Sequence, residues 1–230
     1  MSQTEERPGS PAREGQTAEA ELLPEQFAAL LRQMGSPEVL SDSIAPLLPP
    51  GGIRDARGLG QFLTHYQTQI LDAVELPAIV RAHRMAARGH IRDLLALDQE
   101  IAGQPLLAPL ASASRRIGRL QLESLRPLRD ERVVQRYLAA VETGQAQGWH
   151  TVVYGITFAV YSWPLRHALL TYGREILSGL GQAASRSSGF SAELCGQTLD
   201  PILLRLPPAI EQTLRDLDKG GATEASPQAF

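Results

Sequence analysis

Residues 149–162 read WHTVVYGITFAVYS, and the fold class turns on whether this run is a strand or a helix. Val, Ile, Thr, Tyr and Phe suit a pleated, half-buried surface, so by propensity alone the run is β-rich. A strand needs partners, however, and no run of alternating apolar and polar residues elsewhere in the chain is flanked by hairpin turns. The neighbours on both sides carry helical spacing instead. The run is therefore expected to be a helix that is apolar on nearly every side, and such a helix belongs at the centre of a core. Gly148 separates it from the preceding helix, and Pro164 stands where a following helix would start.

Upstream, Asp130 is placed to cap a stripe of Val133, Val134, Tyr137, Leu138 and Val141. Pro105 opens a helix running to Leu125, and Ile91, Leu94, Leu95 and Ile101 form the stripe before it. From about Gly58, Leu59, Phe62, Leu63, Tyr66 and Ile70 share a face. Glu75-Leu76-Pro77 then restarts the chain, which continues through Ile79, Val80 and His83 to a stop at Gly89. Downstream, Leu165, Leu169, Tyr172, Ile176 and Leu180 form one stripe, Ser191 caps a helix with Leu194 and Cys195, and Leu206, Ile210, Leu214 and Leu217 close the series. A short first helix is expected at Phe27, Leu30, Leu31 and Met34. The expectation is an all-α fold, one domain of about ten helices with short connections over residues 23–219. Residues 1–22, polar and acidic, and the tail from Gly220 are expected to be disordered.

Composition narrows the function. Apolar residues are 43% of 230, enough for a substantial core, and aromatics only 5%, so Leu, Ala, Val and Ile must fill it. A formal charge of −3 gives no global pull toward nucleic acid or an anionic membrane. Lys219 is the only lysine. Cys195 stands alone, so neither an internal disulfide nor a multi-cysteine zinc site can form, and a reducing, cytoplasmic home is expected. The N-terminus has no apolar signal-peptide region, and the uncharged stretch from Thr151 to Leu165 is shorter than the roughly 18–20 residues of a span.

Residues 49–62, PPGGIRDARGLGQF, could be a phosphate cradle, a recognition loop or a linker. The G-K-[ST] ending and the preceding strand of a phosphate loop are both missing. His65, His83, His90, His150 and His167 include no H-E-x-x-H and no pair at i, i+4; His83 and His90 are separated by Gly89. His150 reads as a capping or hydrogen-bonded core histidine, and Cys195 as a buried thiol. No serine sits in G-x-S-x-G. No catalytic residue, metal site or cofactor is expected. Charge is uneven: Arg115 to Arg136 holds seven arginines against Glu123, Asp130 and Glu131, while the first 25 residues hold six glutamates and two arginines. That asymmetry fits a solvated face, or a basic surface that receives an acidic partner or the acidic segment.

The run LPAIVRAHRMAARGHIRDLLALDQEIAGQPLLAPLASASRRIGRLQL resembles the middle of the urease accessory protein F (UreF) family. Asp93, Leu94, Leu97 and Asp98, then Ala113, Ser114, Gly118 and Arg119, carry the likeness. HTVVYG at His150 to Gly155, AASR ending at Arg186 and GQTLDPIL at Gly196 to Leu203, which includes Gln197, extend it over roughly residues 40–215. In residues 49–60, Pro49, Gly51, Gly52, Gly58 and Leu59 match the family's loop. Ile53 replaces an aromatic, Arg54 a hydroxyl residue, Asp55 a His or Tyr, Ala56 a serine and Gly60 a glutamate.

The resemblance implies an all-helical, non-enzymatic maturation factor, a homodimer that binds the accessory GTPase (UreG) and the scaffold protein D or H (UreD/UreH). With them it would assist nickel insertion into apo-urease. It places partner contacts at Gly51, Gly52, Arg54, Asp55, Gly58, Leu59, His150, Arg186 and Gln197, with no nucleic acid and no membrane involved. The altered polar residues of the loop leave a second reading, a helical regulator serving a different partner.

Overall fold

The computed structural model describes residues 52–224. The expected disordered segment 1–22, the first helix at Phe27 to Met34, Gly51 and the last residues of the tail lie outside the described residues. Within them the fold is all-α, with no strand. Helix α1 spans Ala56–Tyr66, continues as a π-helix over Gln67–Glu75 and runs on into α2, Leu76–Ala87. Then come α3 (Ile91–Ala102), a 3-10 turn (Pro105–Leu110) leading into α4 (Ala111–Leu125), α5 (Arg132–Glu142), α6 (His150–Val160), α7 (Leu165–Ser188), α8 (Ala192–Leu203) and α9 (Leu206–Glu224). No helix among the described residues is long and apolar enough to cross a membrane.

The helix count corrects the expectation of about ten. Nine α-helical stretches join, through the π segment and across the break at 204–205, into seven helical bodies among the described residues. The apparent restart at Pro77 is the reason at one end. Proline has no N–H and its ring crowds the carbonyl four residues back. The chain meets this by widening its register ahead of the proline, so that the Leu76 N–H donates to the Leu71 carbonyl, five residues back. No break is needed. Asp130 also differs from its expected role. A turn donated by the Glu131 N–H to the Leu128 carbonyl (3.2 Å) carries the chain one residue further, and α5 starts after Glu131 without a side-chain cap. Ser191 does cap α8, accepting from the Leu194 N–H at 3.2 Å.

The run that decided the fold class is α6. Every residue from His150 to Phe158 is buried, and β-branched propensity yields here to burial among helices on several sides. Helix α2 crosses it at Gly155, where a Cβ would lie 2.6 Å from the Ile79 carbonyl oxygen and 2.8 Å from the His83 nitrogen. Helix α4 approaches at Gly118, where a Cβ would collide with the Gly148 carbonyl oxygen. These two glycines let three backbones meet almost without intervening side chains. Around this centre α8 packs on α1 and α7, and α9 on α7 and α2.

Candidate functional site

The leading loop runs into α1, which packs against α8. Ile53, in place of the expected aromatic, is only 4% exposed and anchors the loop in the core. Asp55 is the N-cap of α1: its Oδ1 accepts from the Gly58 N–H at 2.7 Å. Its carboxylate, which had to be either solvated or paired, is spent on starting the helix. Gly52 and Arg54 are exposed, while Leu59 is fully buried. Gly60 faces α8, with an added Cβ 3.5 Å from the Thr198 methyl. Next to Thr198, Gln197 is exposed and donates to Glu193 at 3.2 Å. On the other side of α8, exposed Arg186 lines an open groove with Gln182, Phe190, Cys195 and Leu199. Helix α8 thus lies between Gly60 of α1 and the groove at Arg186, and carries Gln197 at its surface.

His150 lies elsewhere, buried at the first turn of α6. Its Nδ1 is 2.6 Å from the Ser114 hydroxyl and its Nε2 is 2.7 Å from the Tyr172 hydroxyl. Tyr172 also bonds to Glu75, whose two carboxylate oxygens accept from the Tyr66 hydroxyl at 3.0 and 3.1 Å. Tyr154 stacks edge-on against both His150 and Tyr172. One proton arrangement satisfies the whole chain when Glu75 is ionised. Both tyrosines donate to Glu75, His150 donates through Nε2 to Tyr172, and Ser114 donates to Nδ1 while accepting from the His150 backbone N–H at 3.3 Å. Burial raises Glu75 to about 7, against the pull of its tyrosine partners, and burial lowers His150 to about 4. The 3.7 Å between His150 Nε2 and Glu75 Oε1 is too long for a hydrogen bond, and Tyr172 bridges the two instead. A cavity of about 20 Å³ beside Glu75, Ser114 and Tyr154 has room for a single water. A buried network of this kind can hold protons and fix helices.

The UreF family model matches residues 53–192, from the anchor Ile53 to the first residue of α8. The chain belongs to the UreF family. No curated protein matches it. Membership makes this a urease accessory protein of a chaperone-like rather than catalytic family.

In this UreF chain the motif residues read from the sequence prove to be joints. Asp98 is fully buried on α3 and accepts from the Gly148 N–H (3.1 Å), the Trp149 N–H (3.2 Å), the Gln147 N–H and the Tyr137 hydroxyl (2.6 Å). It therefore gathers the backbone donors ahead of α6 and pins them to α5. Ser114 and Gly118, one turn apart on α4, meet His150 and the Gly148 carbonyl. Sequence reasoning singled out Asp98, Ser114 and His150 but missed Glu75, Tyr66 and Tyr172 as their partners. The available signal was a carboxylate, Glu75, sitting between two apolar stripes rather than on a polar face. Among the described residues no group of three or more His, Cys, Asp or Glu side chains could hold a metal ion.

Proposed function

We propose that this chain is a urease-maturation factor that binds the accessory GTPase and the scaffold protein D or H, and with them assists nickel insertion into apo-urease. The match of residues 53–192 to the UreF model carries this reading. The partner-facing surface is assigned to Gly51, Gly52, Arg54, Asp55 and Gly58 of the leading loop, to Gln197 on α8 and to Arg186 at the end of α7. Leu59 and His150 act from below by holding α1 and α6 in place. The working unit is a homodimer in the cytoplasm.

The test is to mix the purified chain with its cognate GTPase and scaffold protein and measure complex mass by light scattering. A co-eluting assembly with two copies of this chain is expected, and persistent separate elution would sink the reading. A second reading, a helical regulator with a different partner, is favoured by one observation: Asp55 is engaged in capping α1, where the family's loop carries His or Tyr. Installing Asp55→His and Gly60→Glu separates the two. A gain in GTPase binding supports the first reading, and no gain in a folded variant supports the second.

A further inference from the structure

Helix α4 turns an arginine-rich face to solvent. Ser112, Arg116, Arg119 and Leu120 are exposed along it and line an open groove of about 410 Å³ with half-buried Arg115. Arg119 has no hydrogen-bond or ion-pair partner among the described residues. Glu123, the acid at the end of this face, is already held by Arg126 at 2.7 Å. Leu120 is 57% exposed, an apolar side chain set among cations. Such a face fits a ligand that is acidic and partly apolar.

The chain itself contains that ligand. Residues 14–25 read EGQTAEAELLPE, four glutamates and no basic residue, with Leu22 and Leu23 adjacent. We propose that this acidic segment docks on the arginine face of α4 of the same molecule, setting its glutamates against Arg115, Arg116 and Arg119 and its leucines against Leu120. The chain between residue 25 and residue 52 can extend roughly 90 Å at about 3.3 Å per residue, so reach imposes no limit. Tethering also supplies an effective concentration on the order of millimolar, so an intrinsically weak electrostatic contact is enough. A symmetric contact with the same face of a second copy is disfavoured, because it would set arginine against arginine. Nucleic acid is disfavoured by the lack of aromatic side chains among the arginines. An acidic partner protein must then compete with the segment for this face.

The test follows hydrogen exchange in residues 14–25 of the full chain by mass spectrometry. At low salt, about 20 mM, exchange is expected to be slowed about fivefold or more relative to a full-chain Arg116→Glu/Arg119→Glu variant, and the two should converge at about 500 mM salt. Circular dichroism checks that the variant keeps its helices, and the salt arm on the unmodified chain decides the matter if it does not. Equal exchange at low salt overturns the proposal. So does slowing that survives charge reversal, which would place the segment elsewhere, or slowing that grows with protein concentration, which would place it on a second copy.

Discussion

Replacing Asp98 with alanine should be among the most damaging single changes in this protein. The carboxylate takes two buried backbone N–H groups, at Gly148 and Trp149, a half-buried one at Gln147, and the buried Tyr137 hydroxyl. A buried donor stripped of its acceptor costs about 1–3 kcal/mol. Three such groups would total about 3–9 kcal/mol, but removing a buried charge returns part of its desolvation penalty and water can enter the vacated space. The net expectation is about 3–5 kcal/mol, a third or more of the stability of an ordinary domain of about 5–15 kcal/mol. Urea unfolding followed by tryptophan fluorescence suits the measurement, since Trp149 sits directly at the hub. With a slope of about 1–3 kcal/mol/M, the midpoint should fall by at least about 1 M. Tyr137→Phe should cost only about 1 kcal/mol, because the carboxylate keeps its three N–H donors. Asp98→Asn should fall between the two, since one acceptor oxygen survives while an NH2 group faces backbone donors. If Asp98→Ala lies within about 1 kcal/mol of the unmodified chain, or costs no more than Tyr137→Phe, the reading of Asp98 as the hub is wrong.

The remaining predictions concern the buried network and the helix contacts. Glu75 at about 7 keeps a proton in the folded state that the unfolded chain releases near 4.5, so its contribution is full below that pH and is lost as pH rises through 7. His150 at about 4 works oppositely, its contribution being full above about 6.5 and lost as pH falls toward 4. The two slopes oppose each other between about 4.5 and 6.5, so stability there should be nearly flat. Glu75→Gln should expose the histidine slope, and between pH 4.5 and 8 the balance should move in the variant's favour by about 3 kcal/mol; parallel urea midpoints across that range would contradict this. Gly155→Ala must push α2 and α6 apart, because two of the atoms it meets are backbone. A loss of about 3 kcal/mol or more is expected, lowering Tm by about 6–12 °C, and an unchanged Tm would refute the close crossing. Gly60→Ala should do the reverse. Its Cβ makes only an ordinary contact with Thr198, so the helix gains about 0.5–1 kcal/mol and Tm rises by a few degrees, whereas a fall in Tm would mean that α1 and α8 pack more tightly than described.

Helix positions were legible because burial and the 3.6-residue period coincide along most of the chain. Even the β-rich run at 149–162 could be assigned from the absence of any partner strand. What escaped was continuity. A π register leaves no apolar period of its own, so the passage from Tyr66 to Leu76 looked like an end and a beginning when it is one rod with a widened turn. Asp130 misled because cap preference is local, while the turn at Leu128 that displaces the helix start is not visible in the cap residue. The buried network was half legible for a similar reason. His150 carries a core reading on its own, but Glu75 and Tyr172 lie far away in sequence and meet it only through the packing of three helices. In the leading loop, the glycines and prolines pointed to backbone shape, whereas the role of Asp55 required knowing that α1 begins at Ala56 rather than near Gly58.

The crossing at Gly155 has a mechanical consequence. With only the Ala82 methyl between α2 and α6 at that point, there is no rotamer to swing and no thick layer along which one helix could slide past the other. The Tyr66 hydroxyl, shared between the two Glu75 carboxylate oxygens, ties one end of the π segment to the other. Any adjustment the molecule makes when another protein lands on it must therefore be taken up at the periphery, in α8, α9 and the first turn of α1. The centre behaves as a chassis, and the outer helices are the suspension mounted on it.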